Sequence, residues 1–191
     1  MHIGLFFGSF NPVHIGHMAL ANYMLSYTNM QQVWLVVSPQ NPLKDKSQLL
    51  DQQQRLNLVR TALDDHPNLR ASTIEFGLSQ PSYTINTLAH LKEKYPEHEF
   101  SLIMGQDNLR SFHKWKNYEE ILKQYQIYVY PRPGADSGQF ANHPHVHLTD
   151  APVIDISSTF IRNAIRDKKD VRFFLPAKVW EEIDGMNYYR K

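Results

Sequence analysis

The chain has 191 residues, 42% of them hydrophobic and 20% charged, and its 20 basic and 19 acidic side chains leave a formal net charge of +1. This balance gives no broad attraction to nucleic acid or to anionic lipid, so an anion must be bound by a local site. Cysteine is absent, which excludes disulfides, thiolate metal sites and a cysteine nucleophile. No basic segment or long apolar run opens the chain (MHIGLFF), and we expect a cytoplasmic protein without a signal peptide or membrane span.

The first predicted elements are a strand, a glycine turn and a helix, within the stretch GLFFGSFNPVHIGHMALANYML at residues 4–25. The helix is predicted to start near His14, because the apolar positions from there share one helical stripe. The first N–H groups of a helix have no acceptor within it, and here they point beyond the end of the strand. Such a place suits an anion, most often a phosphate.

Two histidines, His14 and His17, lie three residues apart and therefore share the first turn of that helix. Taken alone, such a pair more often caps a helix or packs beneath a sheet. A zinc site would need a third ligand, and no partner is evident in the sequence. Beside the glycine turn, however, two imidazole donors could clamp phosphoryl oxygens.

Apolar, β-rich runs recur along the chain and predict five more strands, at VWLVVS from Val33, ASTIEF from Ala71, FSLIMG from Phe100, QIYVYP from Gln126 and VIDIS from Val153. Amphipathic segments between and after them predict helices, at DQQQRLNLVRTALDD with Asp51 as N-cap, SYTINTLAHLKEKY, YEEILKQY, SSTFIRNAIRD and PAKVWEEID. The stretch RPGADSGQFANHPH is predicted to be a surface loop. This alternation predicts a doubly wound α/β fold, a mostly parallel Rossmann-like sheet with helices on both faces, which binds ligands beyond the carboxyl ends of its strands.

Three further motifs begin helices after predicted strands or turns: QPSYTINTL, GQDNLRSFHKW and ISSTFIR. In ISSTFIR, the serine hydroxyls and free N–H groups form a second anion seat, with Arg162 one turn later on the same face. Asp107 in GQDNLRSFHKW could accept hydrogen bonds from a ribose. Each motif by itself is also compatible with an ordinary capped helix. The alternating His143, His145 and His147 could bind a metal at strand spacing, although a solvated edge is favoured there.

Together, GSFNPVHIGH and ISSTFIR resemble the HxGH-type nucleotidyltransferases, and the other two motifs are similar to those of the nicotinate mononucleotide adenylyltransferase family. The resemblance implies one nucleotidyltransferase domain over residues 1–191, with the C-terminal helical part, about 157–191, packed on it. The implied ATP-binding residues are Gly8, Ser9, Phe10, His14, His17, Gly105, Asp107, Ile156, Ser157, Ser158 and Arg162. The implied residues around the pyridine nucleotide are Ser82, Tyr83, Thr84, Trp115 and Lys116, with Trp115 stacking on the ring and backbone N–H groups receiving the carboxylate. The implied catalytic residues are His14, His17, Lys44 and Arg162.

The chain departs from the family pattern at two places. The stretch QNPLK keeps Lys44 but has Leu43 where many members have histidine, and Lys116 stands where an aromatic residue is common.

The reaction implied by the resemblance is adenylyl transfer from ATP to nicotinate mononucleotide, with Mg²⁺ held by the phosphates and water rather than by protein ligands. Two alternatives remain at this point. One is a related adenylyl- or cytidylyltransferase for another phosphate acceptor, such as phosphopantetheine or a sugar phosphate. The other is a nucleotide-binding regulator with an inactive site. We expect no nucleic-acid partner. The sequence does not decide whether the preferred acceptor is the nicotinate or the nicotinamide mononucleotide, or whether the protein forms a homo-oligomer.

Overall fold

Six strands form a single sheet in the structure, a computed structural model that describes residues 1–39, 49–136 and 138–190. They are β1 (His2–Gly8), β2 (Gln32–Val37), β3 (Leu69–Ser72), β4 (Glu99–Gly105), β5 (Gln126–Tyr130) and β6 (Val146–Leu148). Their order is β3-β2-β1-β4-β5-β6, and every neighbouring pair is parallel. The strand order reverses between β1 and β4, so this is the doubly wound sheet that the sequence predicts, with its switch point beside β1.

In the part of the chain that the structure describes, seven α-helices connect and cover the strands: α1 (Ile15–Tyr27), α2 (Gln52–Leu63), α3 (Thr84–Lys94), α4 (Gln106–Arg110), α5 (Tyr118–Gln124), α6 (Ser158–Arg166) and α7 (Ala177–Gly185). The predicted helix starts are confirmed at two caps, because His14 is the N-cap residue of α1 and the Asp51 carboxylate accepts the Gln53 N–H at the start of α2. Within the described ranges, none of the helices has both the length and the apolar character needed to cross a membrane.

The hydrophobic core is divided between the two faces of the sheet. Alternate residues of a strand point to opposite faces, and accordingly Phe6 of β1 packs with α1, α2, α6 and α7. Its neighbour Leu5 packs on the other face, with α3, α4 and α5. Burial on both faces explains why the strands are continuously apolar, and the prediction of helices on both faces is confirmed.

Two of the predicted strands are wrong in position. The third strand ends at Ser72, and Ile74–Gly77 forms a 3₁₀ turn instead of continuing it. The reason is Glu75, a buried residue whose carboxylate accepts a 2.9 Å hydrogen bond from the Thr87 hydroxyl of α3, so the chain folds back towards that helix.

The stretch VIDIS from Val153 is not a strand, and residues 149–157 have no regular structure. The sixth strand is instead Val146–Leu148, which pairs with Ile127–Val129 of β5 at the sheet edge. The apolar residues of VIDIS serve another purpose, because Ile156 packs into the core beside α1 and α6. The predicted loop from Arg132 contains a short 3₁₀ turn, Gly138–Phe140, whose Phe140 is buried.

Candidate active site

A buried arginine of α2, Arg55, anchors the turn that follows β1. Its side chain is 0% exposed, and its N–H groups donate to the carbonyls of Ser9 (2.7 Å), Ser38 (2.8 Å), Pro39 (2.7 Å) and Leu50 (2.9 Å). A buried charge is tolerated only with such partners, so this one guanidinium holds three chain segments together. Sequence reasoning missed Arg55, although its place beside Val59 on the apolar stripe of α2 was a signal.

The predicted glycine turn is shaped by Phe10. This residue is 1% exposed and has φ of 44°, a left-handed backbone conformation that is rare for a bulky side chain. Its ring covers Gly8, where an added Cβ would lie 2.9 Å from the ring. The ring also meets His17 edge-on, with centroids 5.0 Å apart. Because the Phe10 side chain is buried, only the backbone of this residue is available to a ligand.

The two histidines form a stacked pair at the start of α1. Their ring centroids are 3.7 Å apart, and the backbone N–H of His14 donates to Nδ1 of His17 over 3.2 Å. An accepting Nδ1 means that neutral His17 carries its proton on Nε2. Gly16 lies directly beneath the pair, since a Cβ added there would be 3.0 Å from Nδ1 of His14. The H-x-G-H spacing therefore has a packing reason as well as a chemical one.

The second predicted anion seat, at the start of α6, lies against the turn after β1. The Ser158 hydroxyl donates to the carbonyl of Pro12 (2.9 Å), and Nη1 of Arg162 donates to the carbonyl of Asn11 (2.8 Å). Ser157 is the N-cap residue of α6, and its hydroxyl oxygen accepts the Phe160 N–H. The structure thus brings together ISSTFIR and GSFNPVHIGH, two segments about 150 residues apart in the chain.

Three buried nitrogens in this region have no hydrogen-bond partner within the described part of the chain. They are Nδ1 of His14, Nε of Arg162 and Nε of Arg132. Arg132 follows the carboxyl end of β5, and its Nε lies 3.8 Å from the Asp107 carboxylate, too far for a hydrogen bond. Buried polar groups are nearly always satisfied, and two of these three nitrogens belong to guanidinium groups, so the set indicates a site for an anionic ligand. Sequence reasoning missed Arg132, and its position just after a strand end was the available signal.

Burial decides the charge of His14, which is 4% exposed. Burial, and to a smaller extent the nearby Arg132 guanidinium, lowers the pKa of its imidazole to about 4. At neutral pH the side chain is therefore a neutral imidazole in the absence of an anion.

The predicted adenosine contacts lie at the end of β4. Gly105 is buried, and a Cβ there would overlap the Asp107 carboxylate and lie 3.1 Å from Cγ of Arg132. Asp107 is on the first turn of α4, where its carboxylate is 58% exposed. The side chains of Asp107 and Arg132 therefore pack closely against the backbone of Gly105, and the Asp107 carboxylate is accessible to a hydroxyl group.

The residues predicted to surround the pyridine come from two segments that meet. The Lys116 ammonium lies 4.4 Å from the centre of the Tyr83 ring, which links the end of GQDNLRSFHKW to the start of α3. Trp115 is half-buried, with its ring 5.2 Å from that of Phe112. The Ser82 N–H donates to the Gln80 side chain.

Helix α3 offers backbone donors at this place. The hydrogen bonds of the helix begin with the N–H groups of Asn86 and Thr87, which both donate to the Tyr83 carbonyl. The N–H groups of Thr84 and Ile85 consequently have no acceptor within the helix. Its first turn contains no acidic residue, so the positive end of the helix is available to an anion.

Two predicted sites remain to be placed. Lys44, together with Leu43, lies outside the described residues. Of the three alternating histidines, His145 contacts the carbonyl of Leu122 at 2.8 Å and His147 contacts the Gln126 amide oxygen at 2.6 Å. Within residues 1–39, 49–136 and 138–190, no group of three or more histidine, aspartate or glutamate side chains could hold a metal ion.

A cavity of about 400 Å³ lies elsewhere, lined by Trp34, His90 and Tyr95 among others. It shares no lining residue with the predicted site. The turn after β1 and the start of α6 form the candidate active site, because His14 and Arg162 each keep a buried nitrogen without a partner there. Arg132 lies close enough to His14 for its charge to act on that imidazole.

Comparisons with known proteins show which family and which fold this chain shares. The cytidylyltransferase-like family matches residues 5–164. A probable nicotinate-nucleotide adenylyltransferase of Flavobacterium psychrophilum is 58% identical over 100% of both chains, and one of Flavobacterium johnsoniae is 55% identical over 100% of both. The solved structure of Plasmodium falciparum nicotinic acid mononucleotide adenylyltransferase complexed with NaAD has the same fold, with a TM-score of 0.83, 17% identity, and coverage of 98% of this chain and 97% of that one.

The depressed pKa of His14 makes a prediction for stability. Between pH 6.5 and about 4 the unfolded chain binds a proton at this residue and the folded chain does not, so stability falls as the pH is lowered through this range. At pH 5 the loss attributable to His14 is about 2 kcal/mol. Urea unfolding at pH 7 and pH 5 should therefore show a smaller acid-induced loss in His14→Gln than in the wild type. Equal losses in the two proteins would contradict the assignment.

Proposed function

The chain belongs to the cytidylyltransferase-like family and, within it, to the nicotinate-nucleotide adenylyltransferases, and from this premise we propose that it transfers the adenylyl group of ATP to nicotinate mononucleotide. The products are deamido-NAD and pyrophosphate, a step of NAD biosynthesis. The observation that best supports this proposal is the set of partnerless nitrogens on His14, Arg132 and Arg162. Their number and position suit a bound polyphosphate better than a single small anion.

In the proposed reaction an oxygen of the mononucleotide phosphate attacks the α-phosphorus of ATP. The new P–O bond forms as the bond from the α-phosphorus to the bridging oxygen breaks, and that oxygen leaves with pyrophosphate. A phosphate monoester has a second pKa of about 6 and is already ionised at neutral pH, so no general base is required. The remaining difficulty is to align two anions and to neutralise the charge that develops on the leaving group.

The residues of the candidate active site supply hydrogen-bond donors that are already fixed in place. We assign to His17 a hydrogen bond from Nε2 to a phosphoryl oxygen, because its Nδ1 already accepts from His14. Arg162 and Arg132 would contribute positive charge, and the first turns of α1 and α6 contain no acidic residue that would compete. The ATP role of Lys44 belongs to the same proposal, on sequence grounds alone. Since these groups are held in place before the substrate arrives, they lower the barrier without reorganising.

The atoms of the candidate active site fit a metal that is bound by the nucleotide rather than by the protein. Its partnerless donors are cationic or neutral nitrogens, which bind phosphate rather than Mg²⁺, whereas Mg²⁺ prefers oxygen ligands. We propose that Mg²⁺ is held by the phosphates and water, where it supplies further neutralisation of the triphosphate. The residues of the chain then act on phosphate oxygens and not on the metal.

The acceptor specificity is proposed to depend on the start of α3 and on Trp115. The N–H groups of Thr84 and Ile85 would receive the nicotinate carboxylate, helped by the positive end of the helix. The Trp115 ring would stack on the pyridine, and Lys116 beside Tyr83 adds a positive charge on this side. An acidic acceptor ring is favoured by this combination over a neutral one.

We propose one domain over residues 1–191, with the part from about 157 packed on the sheet and its helices. Support comes from the contacts of α7 with α2, where the Thr61 hydroxyl donates to the Glu182 carboxylate at 2.9 Å. A cytoplasmic location is consistent with the absence of cysteine from the chain.

Pyrophosphate release tests the proposed reaction directly. The wild-type protein is incubated with ATP or CTP and with a panel of acceptors: nicotinate mononucleotide, nicotinamide mononucleotide, phosphopantetheine and a sugar phosphate. We expect the highest kcat/KM with ATP and nicotinate mononucleotide, because only that acceptor offers a carboxylate to α3. Preference for phosphopantetheine would assign the chain to a different acceptor, and ATP binding without pyrophosphate release would indicate a regulator.

His17→Ala is expected to lower kcat by roughly 10²–10³-fold, as is typical when one preorganised donor to a developing charge is removed. The matched control is His90→Ala, an exposed histidine on α3 that should leave kcat unchanged. Near-normal turnover of His17→Ala would remove this residue from the proposed mechanism.

Trp115→Ala is expected to raise the KM for nicotinate mononucleotide by roughly tenfold, because stacking on an aromatic side chain is worth about 1–3 kcal/mol. The KM for ATP measured on the same variant serves as the internal control and should change little. An equal effect on both substrates, or no effect on either, would show that Trp115 is only a structural residue.

A further inference from the structure

The C-terminal segment returns to the turn after β1 and bonds to it through a tyrosine. The hydroxyl of Tyr189 donates to the side-chain oxygen of Asn11 over 2.8 Å, although the two residues are 178 positions apart. The same oxygen accepts the backbone N–H of Leu50 at 3.2 Å, and the backbone carbonyl of Asn11 accepts Nη1 of Arg162 at 2.8 Å. Asn11 is 4% exposed, so a single buried residue connects the start of α2, the start of α6 and the C-terminal segment.

We propose that Tyr189 is a positioning residue for ATP: through its hydrogen bond to Asn11, its hydroxyl fixes the carbonyl that orients the Arg162 guanidinium. The inference rests on the proposed function, in which Arg162 contacts the phosphates. Tyr189 itself does not reach the nucleotide in this scheme. It acts by keeping Asn11 in one place and therefore Arg162 in one direction.

A phenol suits this position better than a carboxylate would. Tyr189 lies close enough to Arg55 and Arg162 for their charges to act on its ionisation. Burial raises the pKa of the phenol nevertheless, so the group stays a neutral donor across the working pH range. A carboxylate here would pair with Arg162 and compete with the phosphates for its N–H groups. A neutral hydroxyl can hold Asn11 without that competition.

The backbone around Tyr189 is held in a conformation that chain ends do not adopt by default. Asn187 and Tyr189 both have left-handed φ values, 54° and 64°. The Tyr188 N–H donates to the Ile183 carbonyl of α7 at 3.0 Å, which turns the chain back over the end of that helix. A non-glycine residue keeps a positive φ only where the surrounding contacts hold it there. The contact with Asn11 is therefore a built part of the fold.

The test is the conservative variant Tyr189→Phe, with Tyr188→Phe as the matched control. Tyr188 is the adjacent tyrosine, and its half-buried ring packs against the same core. Steady-state kinetics with ATP and nicotinate mononucleotide should show a KM for ATP raised about fivefold in Tyr189→Phe, the effect expected for one lost hydrogen bond. The KM for nicotinate mononucleotide and all constants of Tyr188→Phe should be unchanged.

A purely structural role would give a different result, namely a lower fraction of folded protein with both KM values unchanged. That outcome, checked by thermal unfolding of each variant, would overturn the proposal. A double-mutant cycle with Asn11→Ala provides the second readout, because Tyr189→Phe should have no further effect on the KM for ATP once the Asn11 side chain is gone. Additive effects in that cycle would likewise overturn it.

The wild-type protein separates this inference from the proposed function. If the wild type does not release pyrophosphate from ATP with any acceptor, the proposed function fails and the positioning is then measured by calorimetry with a non-hydrolysable ATP analogue. A fivefold weaker binding of the analogue by Tyr189→Phe would support the positioning role in that case, and equal binding would overturn it.

Discussion

Two hydrogen bonds between α6 and the turn after β1 are the contacts on which the candidate site depends. Ser158 and Arg162 donate to the backbone carbonyls of Pro12 and Asn11. These two bonds join a helix near the end of the chain to the turn beside the switch point of the sheet. Because each donor meets a main-chain carbonyl, the relative position of the two helix starts is set by the backbone. The donors that we propose for a polyphosphate are thus assembled before any nucleotide binds.

Arg55, Arg132 and Arg162 differ in how many of their N–H groups already have a hydrogen-bond partner, and this difference separates a structural role from a proposed role in ligand binding. The guanidinium of Arg55 is fully buried and donates to four carbonyls, so it has little left to offer a ligand. Arg162 and Arg132 are only partly satisfied, and each keeps a buried Nε without a partner. Leaving a charged group in this condition costs free energy, which an anion would recover on binding. The first arginine builds the turn, and we propose that the other two serve the substrate.

The stacked histidines at the start of α1 lie close together, and the charge of His14 and the hydrogen bond between them matter for that arrangement. Burial keeps His14 neutral, and its backbone N–H occupies Nδ1 of His17, which leaves the latter with a defined tautomer. With His14 neutral, the two rings can lie at a centroid distance of 3.7 Å without the repulsion that two imidazolium ions would suffer. His14 therefore adds no net charge beside Arg132.

The sequence by itself determined the doubly wound fold and the helix start at His14, because apolar periodicity, caps and turn residues are local signals. It also predicted the two anion seats, whose role in binding stays a proposal. It misplaced the sixth strand, since Ile156 of VIDIS packs into the core and the less apolar Val146–Leu148 pairs with the edge of β5. Only the tertiary structure decided the importance of Arg132, Arg55 and Tyr189. Their roles depend on which carbonyls, amides and charges lie next to them, and those neighbours come from distant parts of the chain.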